Sequence, residues 1–394
     1  MGFIVGLNRN RDSYQVPIAF AERNELELFV TDYYHGQGPA GIPQLSHRQD
    51  PAIDPRLTRA SWSALASQLP YEIKVKFGNA RFPTVLTEGL LGKTIGKAAS
   101  KRPESDLFLY SGSALPAFQG PSTGRRFLFQ YNVTPKFMVE QTQGVDELAG
   151  LRDWEEEAEV FDPKMDEVCQ AEVALADHFV AASSVTKRSL LELGVAGENV
   201  SVAPYGCPEP ERLEQPREVV DDFLFVGQGI KRKGLHLLLE AWRQAGIKGK
   251  TLRIVSSRID PEILDFGRHI EGVTFSPRAR HQEILEMMSR ADTFVMPSLV
   301  ESFGLVYGEA LSRGCRIIAT NTTGAADLGL SARTGTIIDP GQVDGLRAAL
   351  QQHAETMQPD RPYWHEAIGL ARERSWAGFR ELVYRSTAGG HGLR

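Results

Sequence analysis

Short apolar runs recur along the chain, separated by longer stretches whose apolar residues fall at helical spacing. Phe3 to Leu7, Leu26 to Thr31, Asp106 to Tyr110 and Arg126 to Tyr131 read as strands, followed by Phe179 to Ala182 and Val200 to Ala203. The series resumes with Phe223 to Val226, Leu252 to Val255, Val273 to Ser276, Thr293 to Met296, Cys315 to Ala319 and Thr336 to Ile338. These runs are rich in β-formers and end at turn residues, which marks buried strands. Helical spacing covers Tyr14 to Ala21, Thr84 to Ala99, Glu155 to Ala176, Val185 to Leu193, Ile284 to Ala291, Phe303 to Ser312 and the tail Trp364 to Ser386. Ser13 and Ser184 stand where N-caps belong. Pro39 to Pro55 has loop composition. Strands alternating with helices predict βαβ units and open α/β sheets, whose crossovers are right-handed.

Between the two series lies a proline-rich stretch starting at Pro208. At 394 residues the chain is too long for one ordinary core, so two domains are expected. The boundaries predicted are 1–207, a linker at 208–220, a second domain at 221–365 and a terminal helix at 366–394.

The segment from Thr293 to Thr320 is the most informative. It reads as strand, short loop, helix and strand, so the helix start lies at the carboxyl edge of its sheet. The backbone N–H groups of Phe303, Gly304 and Leu305 would then seat a phosphate, and Gly304 would let it approach closely. Glu301 and Glu309 flank that seat. Beside a phosphate a carboxylate is better aimed at neutral hydroxyls, which points to a ligand with hydroxyls on both sides of its phosphates, such as a nucleotide sugar. A second loop at a ligand edge follows Val226: Gly227, Gln228 and Gly229, then Lys231, Arg232 and Lys233. Its cations suit a diphosphate. Dinucleotide binding is disfavoured because the third glycine is missing and Leu252 to Val255 ends in Ser256-Ser257-Arg258 instead of an acid.

E-S-F-G-L-V-Y-G-E, from Glu301 to Glu309, resembles the E-x7-E motif of the retaining GT-B glycosyltransferases of family four. The surrounding residues Pro297-Ser298 and Glu309-Ala310-Leu311 also look like that family, as does Ala176 to Gly206. The resemblance implies an α/β, GT-B architecture of two doubly wound Rossmann-like domains facing across a cleft. It implies a hexosyltransferase-like enzyme that moves a sugar from a UDP- or GDP-linked donor to a glycan, lipid-linked or small-molecule acceptor. Metal independence is expected because the helix start at Phe303 to Leu305, with Arg232 and Lys233, would stabilise the departing diphosphate. Glu309 would bind the donor ribose and Glu301 would lie by the transferred sugar. Lys233-Gly234 matches the lysine that holds the diphosphate, whereas Gln228 replaces the family arginine and Arg232 would compensate. Ser276 and Arg278 would lie near the nucleobase, and the final helix would cross back to the first domain. A nucleotide-sugar epimerase of the same fold and a non-catalytic sugar-nucleotide-binding subunit are the alternatives.

On the first domain, the loop after the first strand offers Asn8, Arg9, Asp12 and Ser13 to an acceptor, and Asn132 follows Gln130-Tyr131 at the same edge. No cofactor and no metal ligand set is expected, since the chain has no Asp-x-Asp and its three cysteines are scattered. The net charge of -6 argues against nucleic acid as a partner. No stretch reaches the roughly eighteen apolar residues of a membrane span. A cytoplasmic protein is expected, with peripheral contact at the inner face of a membrane left open by the row Lys93, Lys97 and Lys101.

Overall fold

The computed structural model describes residues 2–36, 42, 45–75, 84–143, 162–210 and 216–388. Two parallel sheets organise it. The first contains β1 (Phe3–Gly6), β2 (Leu26–Thr31), β3 (Thr58–Ala60), β4 (Asp106–Tyr110), β5 (Arg126–Gln130), β6 (His178–Ala181) and β7 (Val200–Val202), in the order β3-β2-β1-β4-β5-β6-β7. The second contains β8 (Asp221–Val226), β9 (Leu252–Val255), β10 (Val273–Ser276), β11 (Ala291–Val295), β12 (Arg316–Thr320) and β13 (Gly335–Ile338), in the order β10-β9-β8-β11-β12-β13. Every residue of β4, β11 and β12 is buried. Helices cover both faces of a parallel sheet, so its strands are apolar without alternation. Both domains are Rossmann-like α/β units.

Several elements differ from the sequence expectation for identifiable reasons. The edge strand β3 is too short and polar to stand out as an apolar run. The helix of the second sheet's motif starts at Leu305, not Phe303, because Phe303 is buried ahead of the helix and extends its apolar pattern. Ser183 rather than Ser184 caps the helix Ser184–Glu192, accepting from the Thr186 N–H. Of the long acidic helix, Pro163–Leu175 is observed, and residues 155–161 lie outside the described residues. Parts of the expected loop 39–55 and of the linker lie outside them as well.

The helical tail is two helices, Trp364–Glu373 and Trp376–Ala388. They are separated where Arg374 leaves helical geometry and its carbonyl accepts from the Cys207 N–H at 2.6 Å. The second helix packs on the helix Gln15–Ala21 of the first domain. Arg380 lies 3.0 Å from Glu22 and Arg23 lies 2.6 Å from Glu381. The exposed lysines Lys93, Lys97 and Lys101 project from the helix Thr84–Ala99 and the turn after it, while Leu91, Ile95 and Ala98 are buried. Among the described residues, no helix is long and apolar enough to cross a membrane.

The amino end of β11 is anchored by buried charge. Asp292 binds Arg316 at 2.5 Å and accepts from the Tyr363 hydroxyl, and both ionic partners are almost fully buried. This fixes the strand whose other end leads into the loop that carries Glu301. Asp292→Ala leaves a buried guanidinium without its counter-ion and is expected to cost about 3–5 kcal/mol. Urea denaturation of the variant against the parent measures that loss.

Candidate active site

Each sheet reverses its strand order once, between β1 and β4 in the first and between β8 and β11 in the second. Ligands of open α/β sheets bind in the crevice outside the carboxyl ends at such a point. The loops leaving β8 and β11 therefore face one crevice. They also touch directly: the Leu299 N–H donates to the Arg232 carbonyl at 2.8 Å. A Cβ on Gly234 would lie 2.0 Å from the Pro297 carbonyl oxygen, and Gly234 has φ of +70°. Only glycine meets both demands.

This approach delivers two cations to one carboxylate. Arg232 Nη1 lies 3.2 Å from Glu301 Oε2, and the Lys233 ammonium donates to the same oxygen. The Arg232, Lys233 and Glu301 side chains are 14%, 15% and 18% exposed. Burial pushes the Glu301 carboxyl up, but Lys233 and Arg232 outweigh it and hold the group below its ordinary range. Glu301 is thus ionised, with its backbone N–H tied to the Thr322 carbonyl at 3.0 Å.

Beside Glu301 stands the amino end of the helix Leu305–Ser312. Gly304 is its N-cap in the left-handed region, at φ of +81°, and a Cβ there would lie 2.6 Å from the Tyr307 ring. Gly304 thus has a local reason apart from any ligand. The first-turn donors of this helix are the N–H groups of Leu305 and Val306, whereas Phe303 precedes the cap. The Phe303 N–H, expected to belong to this helix's amino end, therefore lies ahead of it, and the Phe303 ring is buried against Tyr205. Val306 lacked any sequence signal because it counted only as an apolar helix position.

Glu309 lies on the same helix, half-buried, with His281 Nδ1 4.0 Å from its Oε1. Burial raises its pKa, opposed by His281 and Arg313. Gly227 follows β8 with its N–H on the Val255 carbonyl, and Gln228 is exposed in the loop. Ser276 and the exposed Arg278 belong to the end of edge strand β10, which β9 separates from β8; Arg253 binds the Ser276 hydroxyl at 3.2 Å. They are not among the groups gathered around Glu301. Among the described residues, no three His, Cys, Asp or Glu side chains cluster as a metal site.

Across the crevice, the loop after β1 holds left-handed backbone without glycine at Arg9, Asp12, Ser13 and Tyr14, with φ of 63°, 46°, 51° and 61°. This corrects the cap expected at Ser13: Tyr14 occupies the N-cap position, without a side-chain cap, and Ser13 is exposed. Asp12 is buried and accepts from the Tyr110 hydroxyl, while its Oδ1 has no hydrogen-bond partner. Burial drives its pKa up to about 7, against the pull of Tyr110 and Arg11. Asn8 donates to Glu88 at 3.2 Å, and the Arg9 N–H donates to Asp32 at 2.9 Å. Arg11, which the sequence did not single out, lies 4.2 Å over the Tyr131 ring and 3.5 Å from Glu88. Asn132 is exposed and reaches the second domain, accepting from Ser302 at 3.4 Å. Ser302 also accepts from the Val133 N–H at 3.0 Å, and the Ser184 N–H binds Asp327 at 2.8 Å. The carboxyl edges of the two sheets therefore meet at Ser302.

Residues 220–356 match the family model of glycosyl transferases group 1. Over 168 residues the chain is 29% identical to a glycogen synthase of Mycobacterium tuberculosis, a match covering 41% of this chain and 40% of that protein. The chain thus spans about two fifths of the length of this curated relative. Likeness to solved structures runs along the whole chain. Sucrose-phosphate synthase of Thermosynechococcus elongatus superposes with a TM-score of 0.66 at 16% identity, covering 99% of this chain and 100% of the other. An Anabaena protein solved in complex with UDP and glucose gives 0.62 at 14%, covering 98% and 99%. The fold is GT-B.

Asp12 supplies a pH test. Its folded pKa, about 7, lies above its ordinary 3.8, so the folded protein holds this proton more tightly than the unfolded chain. Its contribution is fully present below the unfolded value, is lost as pH rises towards 7 and is flat beyond. Asp12→Asn keeps an acceptor for Tyr110 but cannot titrate. Between pH 5 and 6 it should remove about 1.4 kcal/mol per pH unit from the slope of unfolding free energy, read from denaturant titrations.

Proposed function

From a GT-B fold whose second half carries a glycosyl transferases group 1 domain, we propose that this chain is a retaining glycosyltransferase using a nucleoside diphosphate sugar. The observation that carries the reading is the meeting of Lys233, Arg232 and Glu301 at the β8–β11 switch point, beside the amino end of the helix Leu305–Ser312. A departing diphosphate gains charge as the bond to the sugar breaks. Fixed donors in a half-buried site stabilise that charge without reorganising. Lys233, Arg232 and the N–H groups of Leu305 and Val306 are such donors. Glu301 accepts from the sugar hydroxyls and Glu309 from the ribose. The acceptor, a glycan, lipid-linked or small molecule, enters over the loop after β1, where Asp12 and Arg11 bracket Tyr110 and Tyr131. No cofactor or metal takes part in this scheme, and the protein works in the cytoplasm or peripherally at a membrane.

Incubation with UDP- and GDP-sugars, followed by identification of the released nucleotide, tests the reading; no release and no transfer from any donor overturns it. Glu309→Ala should weaken nucleotide binding by about 1–3 kcal/mol, because ribose hydroxyls lose their acceptor. Titration calorimetry with free nucleotide measures this, and unchanged affinity removes Glu309 from the site.

Transfer is expected to survive excess chelator and to fall about a hundredfold in Arg232→Ala/Lys233→Ala. Activity abolished by chelator and restored by magnesium or manganese contradicts the metal-free scheme.

A further inference from the structure

Glu301 occupies the cations that the donor would need. Its Cγ would stand 3.1 Å from a Cβ on Gly304, and its Oε2 rests on Lys233 and Arg232. The side chain therefore runs from the helix's amino end to the cations, through the space assigned above to a phosphate. A phosphate and a carboxylate on one ammonium repel each other strongly in a site so little exposed to water. One must yield.

We propose that Glu301 is a built-in substitute for the donor's phosphate: it neutralises Lys233 and Arg232 while the site lacks a ligand, and an arriving diphosphate displaces it towards the sugar. The inference rests on the donor-binding reading above. The geometry makes the exchange a side-chain movement. The Glu301 N–H stays on the Thr322 carbonyl and the Arg232 carbonyl stays on the Leu299 N–H, so both loops keep their shape. Glycine at 304 spares the Glu301 side chain a contact of 3.1 Å with a Cβ at the helix start. The ion pair also serves the ligand-free protein, since a half-buried ammonium without a counter-ion is costly. Glu301 is then a positioning group before binding and a sugar contact after it. Diphosphate binding is weakened by the energy of the pair it must break, and the released carboxylate reaches the sugar only when a diphosphate has replaced it.

The test is calorimetric titration of UDP and GDP, without any sugar, into the parent, Glu301→Gln, Lys233→Met and the double variant. Glu301→Gln is nearly isosteric, and thermal unfolding checks that each variant is folded. Expected is binding about tenfold tighter in Glu301→Gln than in the parent, with lower transfer activity, and loss of that gain in the Lys233→Met background. A carboxylate acting only as a sugar contact would leave free diphosphate affinity unchanged. Equal or weaker binding in Glu301→Gln, with weaker binding in Lys233→Met, overturns the substitution while leaving the donor reading intact. If neither diphosphate binds any of the four proteins, the donor reading falls and this inference falls with it.

Discussion

The candidate site depends on one close backbone approach, that of Gly234 to the Pro297 carbonyl. With a side chain at 234 the two loops cannot sit together, and the left-handed φ there turns the chain directly from the cations into the helix Leu235–Ala245. Lys233 and Arg232 consequently project from the last turn before that helix towards the other loop. Glu301 meets them because the Leu299 N–H is bonded to the Arg232 carbonyl, two residues before the carboxylate. The ion pairs are a product of this contact between loops. A surface pair of the same residues would be worth little, whereas here the partial exclusion of water makes each charge depend on the other.

The first domain solves the corresponding problem at β1 and β4 with side chains. Four non-glycine residues hold left-handed backbone after β1, at roughly 1–2 kcal/mol each. Partners from remote segments offset that cost. Asp32 receives the Arg9 N–H, Tyr110 binds Asp12, and Tyr14 is buried against Phe29 and Tyr34. Buried polar and aromatic groups thus fix a loop shape that glycines would permit but not impose. Strained backbone held by surrounding structure is characteristic of sites where ligand groups must meet fixed positions.

Most strands of the two sheets were readable from the sequence because their causes are local. An apolar run, a glycine after a lysine and a glutamate before a helix each carry their reason within a few residues. What escaped reading was assembled from afar. Glu88 reaches Asn8 across 80 positions, and Val133 reaches Ser302 across 169. A lone Glu in a helix such as Thr84–Ala99 gives no sign that it is buried beneath another loop. Phe303 misled for the opposite reason: local periodicity placed it in the helix, while its actual partner, Tyr205, comes from the chain's passage between domains. The crowded left-handed loop after β1 was also hidden, since none of its four positions is the glycine that usually announces such a turn.

Ser302 joins the two domains at the site. It follows Glu301 directly, and its hydroxyl and carbonyl are bound by Val133, Asn132, Thr186 and Ser183 of the first domain. Glu301 is therefore set from three directions: by β12's loop through Thr322, by β8's loop through Lys233 and Arg232, and by the first domain through the next residue. The surrounding apolar contact of Val133, Phe137, Val185 and Val300 keeps water from competing for those hydrogen bonds. Ser302 is bonded to the first domain and is separated from Glu301 by a single peptide unit. The carboxylate is thus the point at which the geometry between the domains and the electrostatics of the second domain are joined.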